Sequence, residues 1–455
     1  MATSGIDVSG VIDQRRIGGF QIRVAVLCAL AVFMDGFDTQ VIGYVLPAIA
    51  KSLQIPPQQL WPVATSGLVG LMVGALSLGI LADRVGRKPV IVFCLLFFGG
   101  CMLLTPTASS VQGLATWRFF TGLGLGGAMP NAIALTAEYS PQKVRATAVM
   151  TMFLGFSFGA AIAGFVTAGL VNRFGWEAVF YTGAVLPIVF ALVLMALLPE
   201  SIRILALRGT EGARIARLLS RIDPGGAYSA QSSFTIHEEK AGGLPVQHLF
   251  RERRALSTAL LWIMFFMNLL CIFFMTTWLP TVITKLGLSL EFAATATGLM
   301  QIGGCLGTLC FGPLVDRFGS FTVLSITYIA AALFIAAIGV AGADRVLLVV
   351  TAFAAGFCIV GGQNQMNALA SIVYPTYIRS TGVGWALGIG RIGTLVGTAV
   401  GGTLLGLGLA IPTIFLVAAA PALITASGSF LLGGAERRRF ERTGESSYVP
   451  RPRAA

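Results

Sequence analysis

Apolar stretches of about 20 residues, the length an α-helix needs to cross a bilayer, follow one another through almost the whole of this chain. They fall near residues 22–49, 60–81, 89–108, 112–138, 144–171 and 177–198, and again near 256–284, 292–315, 320–341, 345–373, 380–408 and 411–432. The spacing predicts an all-α polytopic membrane protein whose twelve transmembrane helices form two six-helix bundles, 22–198 and 256–432. A tail, 1–21, precedes them, a polar loop, 199–255, separates them, and a second tail, 433–455, follows. A charged share of 11% excludes an ordinary soluble domain, in which that share is about 25%.

The net charge of +12 does not point to nucleic acid, because Lys and Arg lie between the apolar spans and in the tails, with no basic stripe on a soluble domain. Short cytoplasmic loops carry the excess of basic residues. With the N-terminus inside, the outer loops hold only Lys51, Arg173, Lys285 and Arg345, so both termini are expected in the cytoplasm. The polar, Arg-containing start runs into a span too long for a signal peptide, and the first span is expected to remain as an anchor. The seven cysteines all fall within apolar spans and lack metal-site spacing. They are expected to be packed thiols, with no metal and no cofactor. In the central loop, Ile202, Leu205, Ile215, Leu218 and Leu219 among Arg203, Arg208, Arg214, Arg217 and Arg221 predict a short amphipathic helix at the membrane surface. Asp223 to about Gln247, with His237 and the following His248, then reads as a flexible linker without a transport role.

The two halves repeat. Leu-Ala-Asp-Arg-Val-Gly at 81–86 returns as Leu-Val-Asp-Arg-Phe-Gly at 314–319, so that Asp316 follows Asp83 by 233 residues. Pro-Gln-Lys-Val-Arg-Ala-Thr at 141–147 returns as Pro-Thr-Tyr-Ile-Arg-Ser-Thr at 375–381, so that Arg379 follows Arg145 by 234. Met34-Asp35 is matched by Met267-Asn268. Parallel six-helix repeats are the architecture of two bundles that rock around a central site.

Charged residues inside the spans mark that site. Asp35 and Asp38 are three apart in the first span and share one helix face. An ionised carboxylate at bilayer depth costs several kcal/mol, so each must face a polar cavity, be paired or take a proton. A proton site is one reading; capping or pairing with a neighbouring helix is the other. Arg391 lies about 18 Å into the eleventh span by helical rise, near the midplane, and Arg118 about 9 Å into the fourth. Two carboxylates and two guanidiniums leave the core nearly neutral, so an entering anion is balanced only if an Asp takes a proton. Asp38, closer than Asp35 to the face from which Arg118 descends, is the expected carrier. The seventh span supplies Phe266, Asn268 and Trp278, and the tenth Gln363 and Asn367, which suit an aromatic ring bearing a carboxylate and hydroxyls.

Gly79-Ile-Leu-Ala-Asp-Arg-Val-Gly-Arg-Lys88, with its degenerate copy at 312–319, resembles the signature loop of the major facilitator superfamily. Arg118 with Gly122 and Gly124 resembles the R-x-x-x-G-x-G element of its proton-coupled members. Asp35-Gly-Phe-Asp38 together with the run from Tyr374 to Gly393 is similar to the aromatic acid:proton symporters, which take up benzoate, hydroxybenzoates, protocatechuate and relatives. The resemblance implies the major facilitator fold, uptake of an aromatic carboxylate with a proton by alternating access, function as a monomer, and a place in a bacterial inner membrane. It implies gating roles for Asp83, Arg84, Arg87, Glu138, Arg145, Glu200, Asp316 and Arg379. The second copy has Gly319-Ser320 where the first has an Arg-Lys pair, which breaks the symmetry of the gate. The alternatives are a facilitator for another organic acid, a drug/proton antiporter, and a transporter-like receptor. No nucleophile and base stand at enzymatic spacing, and no nucleotide loop is present.

Overall fold

The structure is a computed structural model that describes residues 6–54, 57–209, 211–236, 245–251 and 254–443. The first transmembrane set comprises α2 (Gly19–Ser52), α3 (Trp61–Val85), α4 (Arg87–Leu104), α5 (Val111–Tyr139), the consecutive α6 (Arg145–Met152) and α7 (Leu154–Phe174), and α8 (Glu177–Leu197). The second comprises α12 (Ala255–Lys285), α13 (Leu290–Phe318), α14 (Ser320–Val340), α15 (Arg345–Val373), α16 (Arg379–Gly406) and α17 (Ile411–Thr443). Between and before them lie α1 (Val8–Gln14), α9 (Ile202–Arg208), α10 (Gly212–Ile222) and the single turn α11 (Pro245–His248). The fifth span, expected as one helix over 144–171, breaks at Phe153, whose N–H reaches back to the Met150 carbonyl at 3.1 Å and tightens the chain locally.

Among the described residues, eleven helical spans are long and apolar enough to cross a membrane by composition. The transmembrane helix missing from that set is α5. It is polar because it is interior: from Gly124 to Tyr139 every residue is buried, so lipid does not select its composition. That freedom lets α5 carry Arg118, Asn131 and Glu138.

The sequence repeat is a structural repeat. α3 gives way to α4 at Gly86 (φ 121°), whose N–H bonds the Ala82 carbonyl at 2.9 Å. α13 gives way to α14 at Gly319 (φ 90°), whose N–H bonds the Val315 carbonyl at the same distance. A side chain would be strained at either turn. Within the first half α3 packs on α5, and α4 on α5 and α8; within the second, α13 packs on α15, and α14 on α15 and α17.

The chain divides into two compact units. The first runs up to His248 and includes Tyr374–Gly388; the second holds Leu249–Val373 and the chain from Ile389. The early part of α16, placed by the sequence with the second bundle, thus belongs to the first unit, where α3 fastens it as described below.

The stretch read as a linker is also different. Up to Thr235 it is tied down although most of its residues stay exposed: β2 (Phe234–Thr235) pairs in parallel with β1 (Ile6–Asp7) of the amino-terminal tail, and α1 lies against α9 and α10. The physical reason is local. Tyr228 donates to Asp223 at 2.8 Å, and Asp223 also pairs with Arg15 at 2.8 Å, which closes the chain on itself. The predicted amphipathic segment is two helices; α10 turns Ile215, Leu218 and Leu219 inward and leaves Arg217 and Arg221 exposed. His248 is buried, its ring edge-on to Tyr377 at 5.8 Å, while His237 lies outside the described residues.

Candidate functional site

Within the first unit, Asp35, Asp38 and Arg118 are all buried. The position of Asp38 follows from the residues beside it. Gly36 faces α7 so closely that a Cβ there would collide with the Phe156 carbonyl, and Phe37 is wholly buried. With that side of α2 fixed, Asp38 meets Arg118 of α5. Arg118 Nη1 donates to Asp38 Oδ1 at 2.6 Å and Nη2 to Oδ2 at 3.0 Å, a bidentate fork. Asp35 instead accepts from the Thr39 hydroxyl, one turn on, at 3.4 Å. Asp38 is thus matched atom for atom by a cation.

A second ionic cluster in the same unit surrounds the Gly86 turn. Asp83 accepts from the Thr381 N–H at 2.8 Å and the Thr381 hydroxyl at 2.6 Å, at the start of α16. Such a carboxylate offsets the partial positive charge of the first helical turn. Arg87 is fully buried and bonds Asp83, Glu138 Oε1 at 3.0 Å and the Thr376 carbonyl at 2.6 Å. Arg379 reaches the same Glu138 oxygen at 3.3 Å, and the Ser201 hydroxyl donates to its other oxygen. Glu200 accepts from the Arg87 N–H at 2.9 Å and the Ser201 N–H at 2.8 Å. Several charges out of water are tolerable only when each has partners, and here the acids and bases interleave. Arg145 lies beside this cluster and pairs with Asp13 of the tail at 3.2 Å. Arg84 is exposed, and its carbonyl accepts from Arg208 at 2.6 Å.

The second unit has a different polar face. Asn268 of α12 donates to Gln363 of α15 at 2.6 Å, and Gln363 donates to Asn367 at 3.1 Å. Next to Gln363, Asn364 is turned to Thr308 of α13 at 2.9 Å. Arg391 of α16 is buried, and Phe266 and Trp278 of α12 are half-buried. The Trp278 indole N–H is committed to the Thr398 carbonyl at 2.9 Å, and the ring lies against Gly401. Asp316, the repeat partner of Asp83, is half-buried. Among the described residues no group of His, Cys, Asp and Glu could hold a metal ion.

The model of the Major Facilitator Superfamily matches residues 28–398. The chain belongs to this superfamily. It is 40% identical over 434 residues to a gallate transporter of Pseudomonas putida, covering 95% of this chain and 96% of that one. It is likewise 40% identical over 430 residues to the 4-hydroxybenzoate transporter PcaK of the same organism, covering 94% and 96%. Among solved structures, the proton:xylose symporter XylE bound to 6-bromo-6-deoxy-D-glucose superposes with a TM-score of 0.71 at 17% identity, covering 90% of this chain and 94% of that one. The facilitator is thus a multi-pass membrane transporter and not an enzyme.

Several residues of the facilitator's ionic clusters escaped the sequence. Thr381 had a visible signal, a hydroxyl two residues into the span that follows Arg379. Ser201, next to Glu200, had none beyond its place as an N-cap, where it accepts the Ile204 N–H at 3.1 Å. Asp13 lay in a tail that carried no periodic pattern.

Proposed function

We propose that this transporter takes up aromatic carboxylates such as gallate, 4-hydroxybenzoate or benzoate together with protons, by alternating access. The observation that carries the proposal is the buried fork between Asp38 and Arg118. Alternating access that parts Asp38 from Arg118 leaves a buried carboxylate without its cation, and Asp38 then takes up the coupling proton. Asp35 orients this site. The aromatic substrates are supported by the names of the relatives, gallate and 4-hydroxybenzoate transporters at 40% identity and a benzoate transport protein of Acinetobacter baylyi at 31%.

In this reading Arg391 receives the substrate carboxylate, because a planar guanidinium matches it in two places. Asn268, Gln363 and Asn367 bond ring hydroxyls, and Phe266 and Trp278 offer faces to the ring. Asp83, Arg84, Arg87, Glu138, Arg145, Glu200 and Arg379 hold the gate around the Gly86 turn, with Asp316 at the repeated turn. The protein works as a monomer in a bacterial inner membrane, with both termini in the cytoplasm.

The test is uptake of labelled 4-hydroxybenzoate, gallate and benzoate into proteoliposomes under an imposed pH gradient. Accumulation that collapses with a protonophore is expected. Equal uptake with and without the gradient removes the proton coupling; uptake of aliphatic acids in preference to all three aromatic ones removes the substrate assignment.

A further inference from the structure

The amino-terminal tail is fastened into the first unit at separate points. Ile6 N–H donates to the Ser233 carbonyl at 2.7 Å, beginning the short parallel ladder with β2. Val8 and Ile12 are fully buried. Arg15 holds Asp223, and Asp13 Oδ1 accepts from the Gln142 N–H at 2.8 Å and from Arg145 at 3.2 Å. At the end of the tail, Gln21 donates to the Tyr139 carbonyl at 2.8 Å.

These anchor points converge on one place. Tyr139, Gln142 and Arg145 form the corner between α5 and α6, and Glu138 is the residue before Tyr139. Glu138 is the carboxylate that gathers Arg87, Arg379 and Ser201, and the Tyr139 hydroxyl donates to the Glu200 carbonyl at 2.6 Å. A shift of this corner therefore moves both acids that organise the cluster. Among the described residues, Asp13 is the tail group that touches the corner on both its backbone and its leading cation.

We propose that residues 6–15 are a positioning strap for the gate: through Asp13 they hold the α5–α6 corner, and with it Glu138, in the register at which Arg87 and Arg379 both reach it. The fastenings suit a strap that yields during a transport cycle. The Asp13–Arg145 pair is part-buried, with Asp13 30% and Arg145 9% exposed; its solvated carboxylate keeps it to about 1 kcal/mol, and one hydrogen bond adds about as much. The strap biases the gate without locking it.

The test is hydrogen–deuterium exchange of the purified full-length protein, which needs no substrate, so its outcome is separate from the aromatic acid assignment. Asp13→Asn is expected to speed exchange about 2- to 10-fold in residues 374–384 and 85–90 as well as in the tail. Asp13→Glu restores the parent pattern. In proteoliposomes Asp13→Asn changes the maximal rate of substrate exchange while apparent affinity stays as in the parent. Arg15→Gln, which leaves Asp13 in place, supplies a milder release and is expected to move the same peptides by a smaller factor. Faster exchange confined to the tail and residues 140–147, with 374–384 and the transport rate unchanged, overturns the proposal.

Discussion

The two halves place polar groups at matching points of one repeat but choose different chemistry for them. Asp35 of α2 is matched by Asn268 of α12, and at the same offset Asp38 falls on Cys271. The first unit meets the low dielectric with ions that neutralise one another: Asp38 with Arg118, and Glu138 with Arg87 and Arg379. The second meets it with a series of amides, Asn268 to Gln363 to Asn367. An ion pair can change protonation and so couple to a gradient, whereas an amide cannot; amides offer both donors and acceptors at any pH and so suit recognition. Under the proposed function, coupling falls to the first half and recognition to the second.

The sharpest way to break this division is to disturb the ion pair. Arg118→Met leaves Asp38 buried without its cation, and such a loss costs about 3–5 kcal/mol. A large fall in thermal stability together with lost proton-driven uptake is expected. Asp38→Asn is expected to fold and to exchange substrate across the membrane without accumulating it. If Asp35→Asn shows that phenotype and Asp38→Asn accumulates normally, the two carboxylates are assigned in the wrong order.

In the second unit, Arg391→Lys keeps the charge and loses the fork. Apparent affinity for the aromatic acids should fall by about 1–3 kcal/mol, measured as the concentration for half-maximal uptake. An unchanged affinity returns Arg391 to a packing role. Asp83→Asn keeps the shape at the start of α16 and removes a charge worth about 0.3–2 kcal/mol at a helix end. Cysteine accessibility from the two sides should shift while the fold persists. Gln363→Leu removes the central amide of the series, so affinity for 4-hydroxybenzoate should fall by about 0.5–1.5 kcal/mol and affinity for benzoate should not. Equal losses for both acids would place the series in helix packing.

The smallest expected effect concerns pH at the tail. The Tyr228 hydroxyl, seconded by Arg15, holds the Asp223 carboxyl below its ordinary value, while burial and that same carboxylate push the Tyr228 hydroxyl up to about 12. A lowered acid contributes stability above its unfolded value, about 3.9, and loses it as pH falls through the folded one; a raised phenol contributes below about 10 and loses it as pH rises toward the folded value. Protection of residues 6–15 from proteolysis should therefore be flat from about pH 5 to 9.

Much of this was legible along the chain. Apolar length located the helices because a bilayer fixes how long a spanning helix must be, and the α3–α4 and α13–α14 turns showed themselves because only glycine sits easily at Gly86 and Gly319. The face shared by Asp35 and Asp38, and the amide density from Gln363 to Asn367, follow from residue type and helical period alone. Other features depend on which helix lies next to which. Arg118 reaches Asp38 because Gly36 lets α2 approach α7 and so turns Asp38 toward α5. The opening of α16 joins the first unit because Asp83 is at hand to receive Thr381. The tail takes shape only against β2, α9 and the α5–α6 corner, since a two-residue strand and a seven-residue helix are too short to hold themselves. Sequence by itself determined the elements whose stability is local or set by lipid; tertiary structure decided the pairings of buried charges, whose energy depends on partners far apart in the chain.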